Sequence, residues 1–366
     1  MPGSGRVEVA AKSPVIGIQG MGNMGGYWGP ELKYAGYDSI ILKGKAAQPV
    51  YIAIQNDEVE IKNAAHLWGM DTYQTQDAIR RELGDPEIEV VCIGPAGENL
   101  IAYASIQTRM GNAAGRTGMG CVMGSKNLKA IAVKGTKAIP VADLKAAYAR
   151  GKEAYRLVMA KPGFEGWTPE GTAGITNWTN EVGVFPTRNF QTSFAGHYKD
   201  INGKAVIERL KITDKGCFGC PTPCGKYGHT KTSAGSAYVE GPEFETISLF
   251  GGNCVLKTIE EVAYANYVCD ELGIDTISAG AAIAFAIECY ENGLITKEET
   301  DGIEMTWGNH QSIVAMTNKM VRKDGFGKII ADGVKVAAER VGKGSEQYAM
   351  HIQGQEVPAH SPKFGV

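Results

Sequence analysis

The sequence predicts an α+β protein in which a β-rich first part is followed by a mostly α-helical second part. Three observations carry that expectation. Short runs rich in Val, Ile and Tyr, separated by Gly, Asn and Asp turns, fill the chain up to about residue 140. From Ala142 the texture changes to apolar residues at helical spacing, with Gly or Asn near several ends. Glycine is abundant, 48 of 366 residues, and much of it falls in the first part, where the chain must turn sharply or approach a ligand closely.

Strands are expected at 7–19, 38–43, 49–55, 59–62, 87–93 and 128–134, interrupted by helices at Pro30–Ala35 and Tyr73–Leu83. Helices then follow at Asp143–Met159, Thr172–Glu181, Thr258–Leu272, Thr276–Asn292, Gln311–Arg322 and Lys328–Val341. The stretch that opens at Asp275 is apolar on every face, which predicts a central buried helix. Tyr348–Gln353 is strand-like, and the chain stops at Val366 without a closing element. The expected division is 1–140, 141–347 and the truncated start of a third unit at 348–366, with a packed boundary near residue 140 because no low-complexity linker lies there.

Forty acidic residues against 37 basic ones give a net charge of -3, without the basic excess needed to neutralise a phosphate backbone, so nucleic acid is excluded as a partner. No apolar signal region opens the chain, and no apolar run reaches the ~18 residues of a membrane span. The eight cysteines are poorly spaced for a secreted disulfide framework. A reducing cytoplasm fits best.

Cys217-Phe-Gly-Cys220-Pro-Thr-Pro-Cys224 is the sharpest motif: three thiols within eight residues, held by Gly and Pro. Thiolates at this spacing converge on a soft centre. Three readings stay open from spacing alone: an iron-sulfur cluster, zinc with His229 as fourth ligand, or thiols without metal. Cys254 reads either as a small core residue or as a ligand. In Asp270-Glu-Leu-Gly-Ile-Asp275, Gly273 suits a helix end and Asp275 the N-cap of the next helix, whereas Glu245 suits a first helical turn.

Longer strings carry a resemblance. Gly22-Asn-Met-Gly-Gly-Tyr-Trp-Gly-Pro-Glu-Leu-Lys-Tyr-Ala-Gly-Tyr-Asp38, Ile93-Gly-Pro-Ala-Gly-Glu-Asn99, the run Ala113–Ala130 that opens Ala-Ala-Gly-Arg, Asn189-Phe-Gln-Thr192, the cysteine motif and Gly241-Pro-Glu-Phe-Glu245 occur in one order. Together they resemble the aldehyde:ferredoxin oxidoreductase family over essentially the whole chain. The resemblance implies a pterin-binding β-rich domain and one tungsten, or molybdenum, held by two pterin cofactors, with a [4Fe-4S] cluster close by. It implies a magnesium ion joining the pterin phosphates through main-chain carbonyls at Asn23 and Ala113, with Arg6 as a phosphate partner and Gly25 and Gly115 in turns that let the backbone approach. One departure is Asn112, where the family often has Arg.

By the same resemblance, Asp270, Gly273 and Asp275 form a pterin-recognition motif, because a carboxylate matches the row of N–H donors on the pterin edge. Glu245 faces tungsten and moves a proton. Cys254 is open to a role as thiolate ligand to tungsten, as in the related benzoyl-CoA reductase catalytic subunits. The activity implied is oxidation of an aldehyde to a carboxylic acid with electrons leaving through the cluster to ferredoxin or an electron-transfer subunit, in the cytoplasm of an anaerobe. Two rivals stand beside it: the active-site subunit of a reductase acting on an aromatic acyl-CoA, and a catalytically inactive fragment or scaffold subunit. A homo-oligomer or a larger complex is expected. Relative to the family, the first strands, the fourth cluster cysteine, a second pterin motif and a histidine near tungsten are missing from the sequence.

Overall fold

In the computed structural model, which describes residues 2–360, the β-rich part is built on a six-stranded sheet. In chain order its first part contains β1 (Val7–Lys12), β2 (Gln19–Met24), α1 (Trp28–Ala35), β3 (Val50–Gln55), β4 (Glu58–Asn63), α2 (Thr72–Leu83), β5 (Glu89–Cys92), α3 (Pro95–Glu98), β6 (Ile106–Thr108), β7 (Asn112–Ala114), α4 (Met119–Ser125) and β8 (Leu128–Lys134). The sheet order is β4-β3-β8-β5-β6-β7, antiparallel except where β3 runs parallel to β8.

Residues alternating along β5 and β8 pack on both faces, as two-sided burial requires. Val91, Ile131 and Val133 meet Trp28 and Leu32 of α1 on one side, and Val90, Ala130 and Ala132 meet Ile79 of α2 on the other. The expected strand 7–19 is instead a hairpin, because residues 13–17 turn and β1 pairs antiparallel with β2 from Val7↔Met24 to Lys12↔Gln19. The expected strand 38–43 is irregular: Ile40 and Leu42 pack against the sheet core but have no ladder partner.

The second part contains α5 (Leu144–Met159), α6 (Phe164–Glu170), α7 (Ile175–Glu181), α8 (Gly203–Ala205), β9 (Lys211–Lys215), β10 (Gly225–Thr232), β11 (Gly235–Glu240), α9 (Phe244–Thr246), α10 (Ile259–Leu272), α11 (Thr276–Glu291), α12 (His310–Arg322), α13 (Gly327–Ile330) and α14 (Val334–Val341). Helix α11 is buried all round from Ile277 to Cys289, as its uniform apolarity predicts. Asp143, Thr258 and Asp275 cap α5, α10 and α11 through their side-chain oxygens.

The mostly helical part also holds a small antiparallel sheet of order β11-β10-β9, and two expectations are corrected in it. The helix expected at 328–341 breaks into α13 and α14 at Gly333, whose φ of 95° an L side chain rarely adopts. The strand-like Tyr348–Gln353 reduces to a two-residue strand at His351–Ile352. Of the expected third unit, 348–366, residues 361–366 lie outside the described residues.

The two parts meet in a packed seam. Tyr103 Oη donates to the Ile330 carbonyl at 2.9 Å, Asn99 Nδ2 to that of Val321 at 2.9 Å, and Thr72 Oγ1 to that of Asp270 at 2.8 Å. No helix among the described residues is long and apolar enough to cross a membrane.

Candidate functional site

The cysteine loop is the connection between β9 and β10. Lys215 ends one strand two residues before Cys217, and Gly225 opens the next directly after Cys224. Short backbone bonds tighten it, Cys220 N–H to the Cys217 carbonyl at 3.1 Å and Cys224 N–H to that of Thr222 at 2.8 Å. All three thiols are free and half-buried. The loop rests in a cradle that side chains would fill: a Cβ on Gly25 would overlap Cys217 Sγ, and one on Gly171 would overlap the Cys224 carbonyl. Phe218 donates its N–H to the Gly26 carbonyl at 3.1 Å and meets Tyr27 and Tyr34 edge-on, with ring centres 5.9 and 6.0 Å apart.

Burial pushes the Cys224 thiol up to about 11, with Glu243, Cys217 and Cys220 adding to the effect. A metal or cluster would have to supply the positive charge that makes thiolates favourable there. Three soft donors in a loop seated against Gly25 and Gly171 fit an iron-sulfur cluster, although no three His, Cys, Asp or Glu side chains among the described residues are already gathered so as to hold a metal ion. Zinc with His229 as fourth ligand is corrected. His229 sits well along β10, bonded to Ser236 Oγ at 2.8 Å and edge-on to Tyr238, because an extended strand carries it ~16 Å from Cys224.

Next to this loop, β2 lies against β7. Arg6 bonds the Asn23 side chain through Nε and donates from NH2 to the Asn23 carbonyl at 3.2 Å. A Cβ on Gly22 would stand 3.0 Å from that of Ala114, and one on Gly26 would stand 3.3 Å from Asn112 Oδ1. Ala113, paired with Gln107 in the sheet, therefore faces the strand that carries Asn23. The same short segment joins two aspartates: a Cβ on Gly111 would lie 3.4 Å from Asp270 Oδ2, and one on Gly115 would lie 3.7 Å from Asp275 Oδ1.

Asp270 is buried in the last turn of α10. Its carboxyl accepts from Asn266 Nδ2 at 2.8 Å and from Gln107 Nε2 at 3.4 Å, while burial and the neighbouring Glu240 push it up to about 8. Gly273 closes α10 with φ 73°, and its carbonyl accepts from Ser105 N–H at 2.9 Å. Asp275 caps α11 with bonds of 3.1 Å to the N–H groups of Ile277 and Ser278, and pairs with Arg116 Nε at 3.5 Å. Burial nevertheless raises its carboxyl above the usual range, with Arg116 and the cap bonds pulling the other way.

Two buried polar atoms close to Asp270 have no partner, Gln107 Oε1 and Tyr73 Oη. A buried acceptor left open costs ~1–3 kcal/mol, so a ligand with a row of N–H donors fits this corner. The cleft outside it, of about 710 Å³, is lined by Tyr73, Gln76, Arg109, Met110, Lys215 and Tyr267, and falls in the ~300–1,000 Å³ range of small-molecule sites.

Glu245 lies in the first turn of α9, which runs on into a wide π-type turn at Ile247–Asn253. Its carboxylate accepts from the N–H groups of Ala359 at 2.8 Å and His360 at 3.1 Å, and bonds the His360 ring. That bond raises the His360 imidazole above its ordinary range. Thr246 Oγ1 meets Thr276 Oγ1 at 2.9 Å, which ties α9 to the start of α11. Cys254 is elsewhere: fully buried, its thiol donates to the Gly280 carbonyl at 3.2 Å, and burial drives it further from the thiolate. This geometry suits the core reading of Cys254.

Sequence reasoning missed Gln107, Arg116, Lys226 and Glu356. Glu356 is 1% exposed and accepts from Ser278 Oγ at 2.8 Å and from the Val334 N–H at 2.9 Å, tying the second strand of the terminal hairpin to α11 and α14. No local signal in β6 or β10 marks Gln107 or Lys226, because both strands mix polar residues with few apolar ones.

A two-part fold with this seam defines the class. Residues 1–135 match the model of the aldehyde ferredoxin oxidoreductase N-terminal domain and residues 150–365 that of domains 2 and 3, and the chain belongs to this family. It is 40% identical over 364 residues to the tungsten-containing aldehyde ferredoxin oxidoreductase of Pyrococcus furiosus, covering 99% of this chain and 59% of that protein. The protein of the same name from Thermococcus kodakarensis gives the same figures. An aliphatic sulfonate oxidoreductase WOR-like subunit of Pyrococcus furiosus is 35% identical, over 91% of this chain and 56% of that one. Among solved structures, the active site complex BamBC of benzoyl coenzyme A reductase, in complex with 1,5 dienoyl-CoA, superposes with a TM-score of 0.83 at 28% identity, covering 98% of this chain and 56% of that one. The chain thus spans less than two thirds of the length of these relatives.

Proposed function

We propose that this chain forms the pterin- and cluster-binding part of a tungsten oxidoreductase that converts an aldehyde and water into a carboxylic acid, two protons and two electrons. The observation that carries the reading is the convergence on one segment, 111–115, of the Asn23 strand, Asp270 and Asp275, with the cysteine loop packed on the adjoining Gly25–Gly26 turn. When bound, the tungsten-bispterin centre supplies the two-electron redox change, and a [4Fe-4S] cluster passes the electrons singly.

In this reading the chain's own groups bind, orient and move protons. Asp270 and Gln107 receive the N–H edge of a pterin, and Asp275 with Arg116 frames the other end of the segment. Arg6 would steer a phosphate, and the carbonyls of Asn23 and Ala113 would hold a magnesium ion. Glu245 accepts a proton from the attacking water, and its three donors from residues 359–360 hold its orientation. Cys217, Cys220 and Cys224 hold the cluster. The electrons go to ferredoxin or an electron-transfer subunit in the cytoplasm.

The likeness to the benzoyl coenzyme A reductase complex supports a second reading, in which the same centre reduces an aromatic acyl-CoA. Metal analysis of protein purified anaerobically from its native cells, with aldehyde-dependent ferredoxin reduction assayed beside benzoyl-CoA reduction, tests both. Tungsten, iron and aldehyde turnover support the first; turnover of benzoyl-CoA alone supports the second; stoichiometric zinc without iron contradicts both.

A further inference from the structure

A lysine with 3% of its surface exposed lies under the cysteine loop. Lys226, the second residue of β10, donates from Nζ to the carbonyls of Thr168 at 2.8 Å and Pro223 at 2.9 Å, and approaches that of Gly225 at 3.4 Å. Asp214 Oδ1 stands 3.3 Å away on a side chain that is 37% exposed. A buried ammonium is tolerated only when its donors are used and a counter-charge is near, and both conditions hold. Pro223 precedes Cys224 directly, so the charge is clamped against the loop that carries the thiols. Ordinary structural work at this place needs only a hydrogen-bond donor. A cation fixed against the loop, with a counter-ion that is partly screened by solvent, does more.

We propose that Lys226 is a positioning residue that sets the reduction potential of the centre bound by Cys217, Cys220 and Cys224, holding it more positive than the loop alone would. The inference rests on the cluster reading above. A cluster with thiolate ligands gains one unit of negative charge when it takes an electron, so a fixed cation beside the loop stabilises the reduced form relative to the oxidised one. The bonds to Thr168 and Pro223 fix the ammonium in place, so the effect does not depend on a mobile side chain. Asp214 opposes it from the solvent side.

The test is a redox titration of the cluster, followed by its electron paramagnetic resonance signal, in the full-length protein purified anaerobically. Lys226→Met should keep iron content and lower the midpoint potential, Lys226→Arg should stay near the parent, and Asp214→Asn should raise it. Asp214→Asn leaves the lysine's bonds to Thr168 and Pro223 in place, and Lys226→Gln, which keeps a donor without the charge, should lower the potential even where Lys226→Met fails to fold. Unshifted potentials in Asp214→Asn and in any Lys226→Met protein that retains its iron would overturn the inference while leaving the cluster reading standing. A parent protein that binds no iron would overturn the cluster reading and this inference with it.

Discussion

Gln107 donates to the carboxyl of Asp270 at 3.4 Å across 163 residues of sequence, and its own carbonyl oxygen, buried, has no partner. In the proposed reading the pair is the acceptor side of a pterin-recognition site. Replacing Gln107 with Leu removes the open acceptor but also the bonds that its Nε2 donates to Asp270 and Ser105, so stability should fall by no more than ~1–3 kcal/mol and the fold should persist. Pterin and tungsten content should fall in the same variant. Full tungsten content in Gln107→Leu would return the residue to a packing role.

Asp270→Ala and Asp275→Ala should lower pterin occupancy by more than a lost helix cap explains, since a cap accounts for ~0.5–2 kcal/mol. Only Asp275 caps a helix, so a purely structural account expects Asp275→Ala to be the more disruptive of the two. Equal loss of cofactor in both, measured by tungsten analysis against unfolding midpoints, is the outcome expected from recognition.

The pH dependence of the cofactor-free chain follows from the sign of the Asp270 shift. Its folded value, about 8, lies above the ordinary carboxyl value of ~3.9, so the folded state holds the proton more tightly than the unfolded chain. Its contribution to stability is complete below about pH 4 and is lost as pH rises through about 8. Thermal midpoints should fall across that window, and Asp270→Asn should make the fall shallower. An unchanged slope in Asp270→Asn would show that other buried acids, Glu240 and Glu356 among them, carry the dependence.

Gly25→Ala tests the contact between the two parts. Its Cβ would overlap Cys217 Sγ, so the cysteine loop has to shift. Overpacking of this kind costs ~1–3 kcal/mol, and iron content should drop although no cysteine has changed. Cys217→Ser, Cys220→Ser and Cys224→Ser should each remove the iron outright, because a hydroxyl does not replace a thiolate at a soft centre. Normal iron in Gly25→Ala would mean that the cradle is looser than its geometry indicates.

Features specified locally were legible in the sequence. Thr258, Gly273 and Asp275 sit within a few residues of the helix ends that they cap or close, and the uniform apolarity of α11 announced its burial. The sheet β9–β11 was not legible, because its strands mix Lys, Thr and Gly with few apolar residues and alternate only weakly. The hairpin β1–β2 was read as one strand because a turn at 13–17 contains Pro14 and Gly17 within an otherwise apolar stretch. Within the site, Glu245, Asp270 and the three loop cysteines were picked from motifs, whereas Gln107, Lys226 and Glu356 matter through what they touch. Glu356 meets Ser278 across 78 residues, and Lys226 reaches Thr168 across 58, separations that no local pattern encodes.

The most direct test of the account is Glu245→Gln in the full-length enzyme, because the change keeps shape and helix start but removes the ability to take a proton. General acid-base groups contribute ~10²–10⁴-fold, so turnover of aldehyde should fall by that order with iron and tungsten content unchanged. A favourable charge in a first helical turn would instead cost ~0.3–1 kcal/mol of stability and leave the rate nearly untouched. A Glu245→Gln enzyme that oxidises aldehyde at the parental rate, with both metals bound, would contradict the assignment of Glu245 as the proton acceptor.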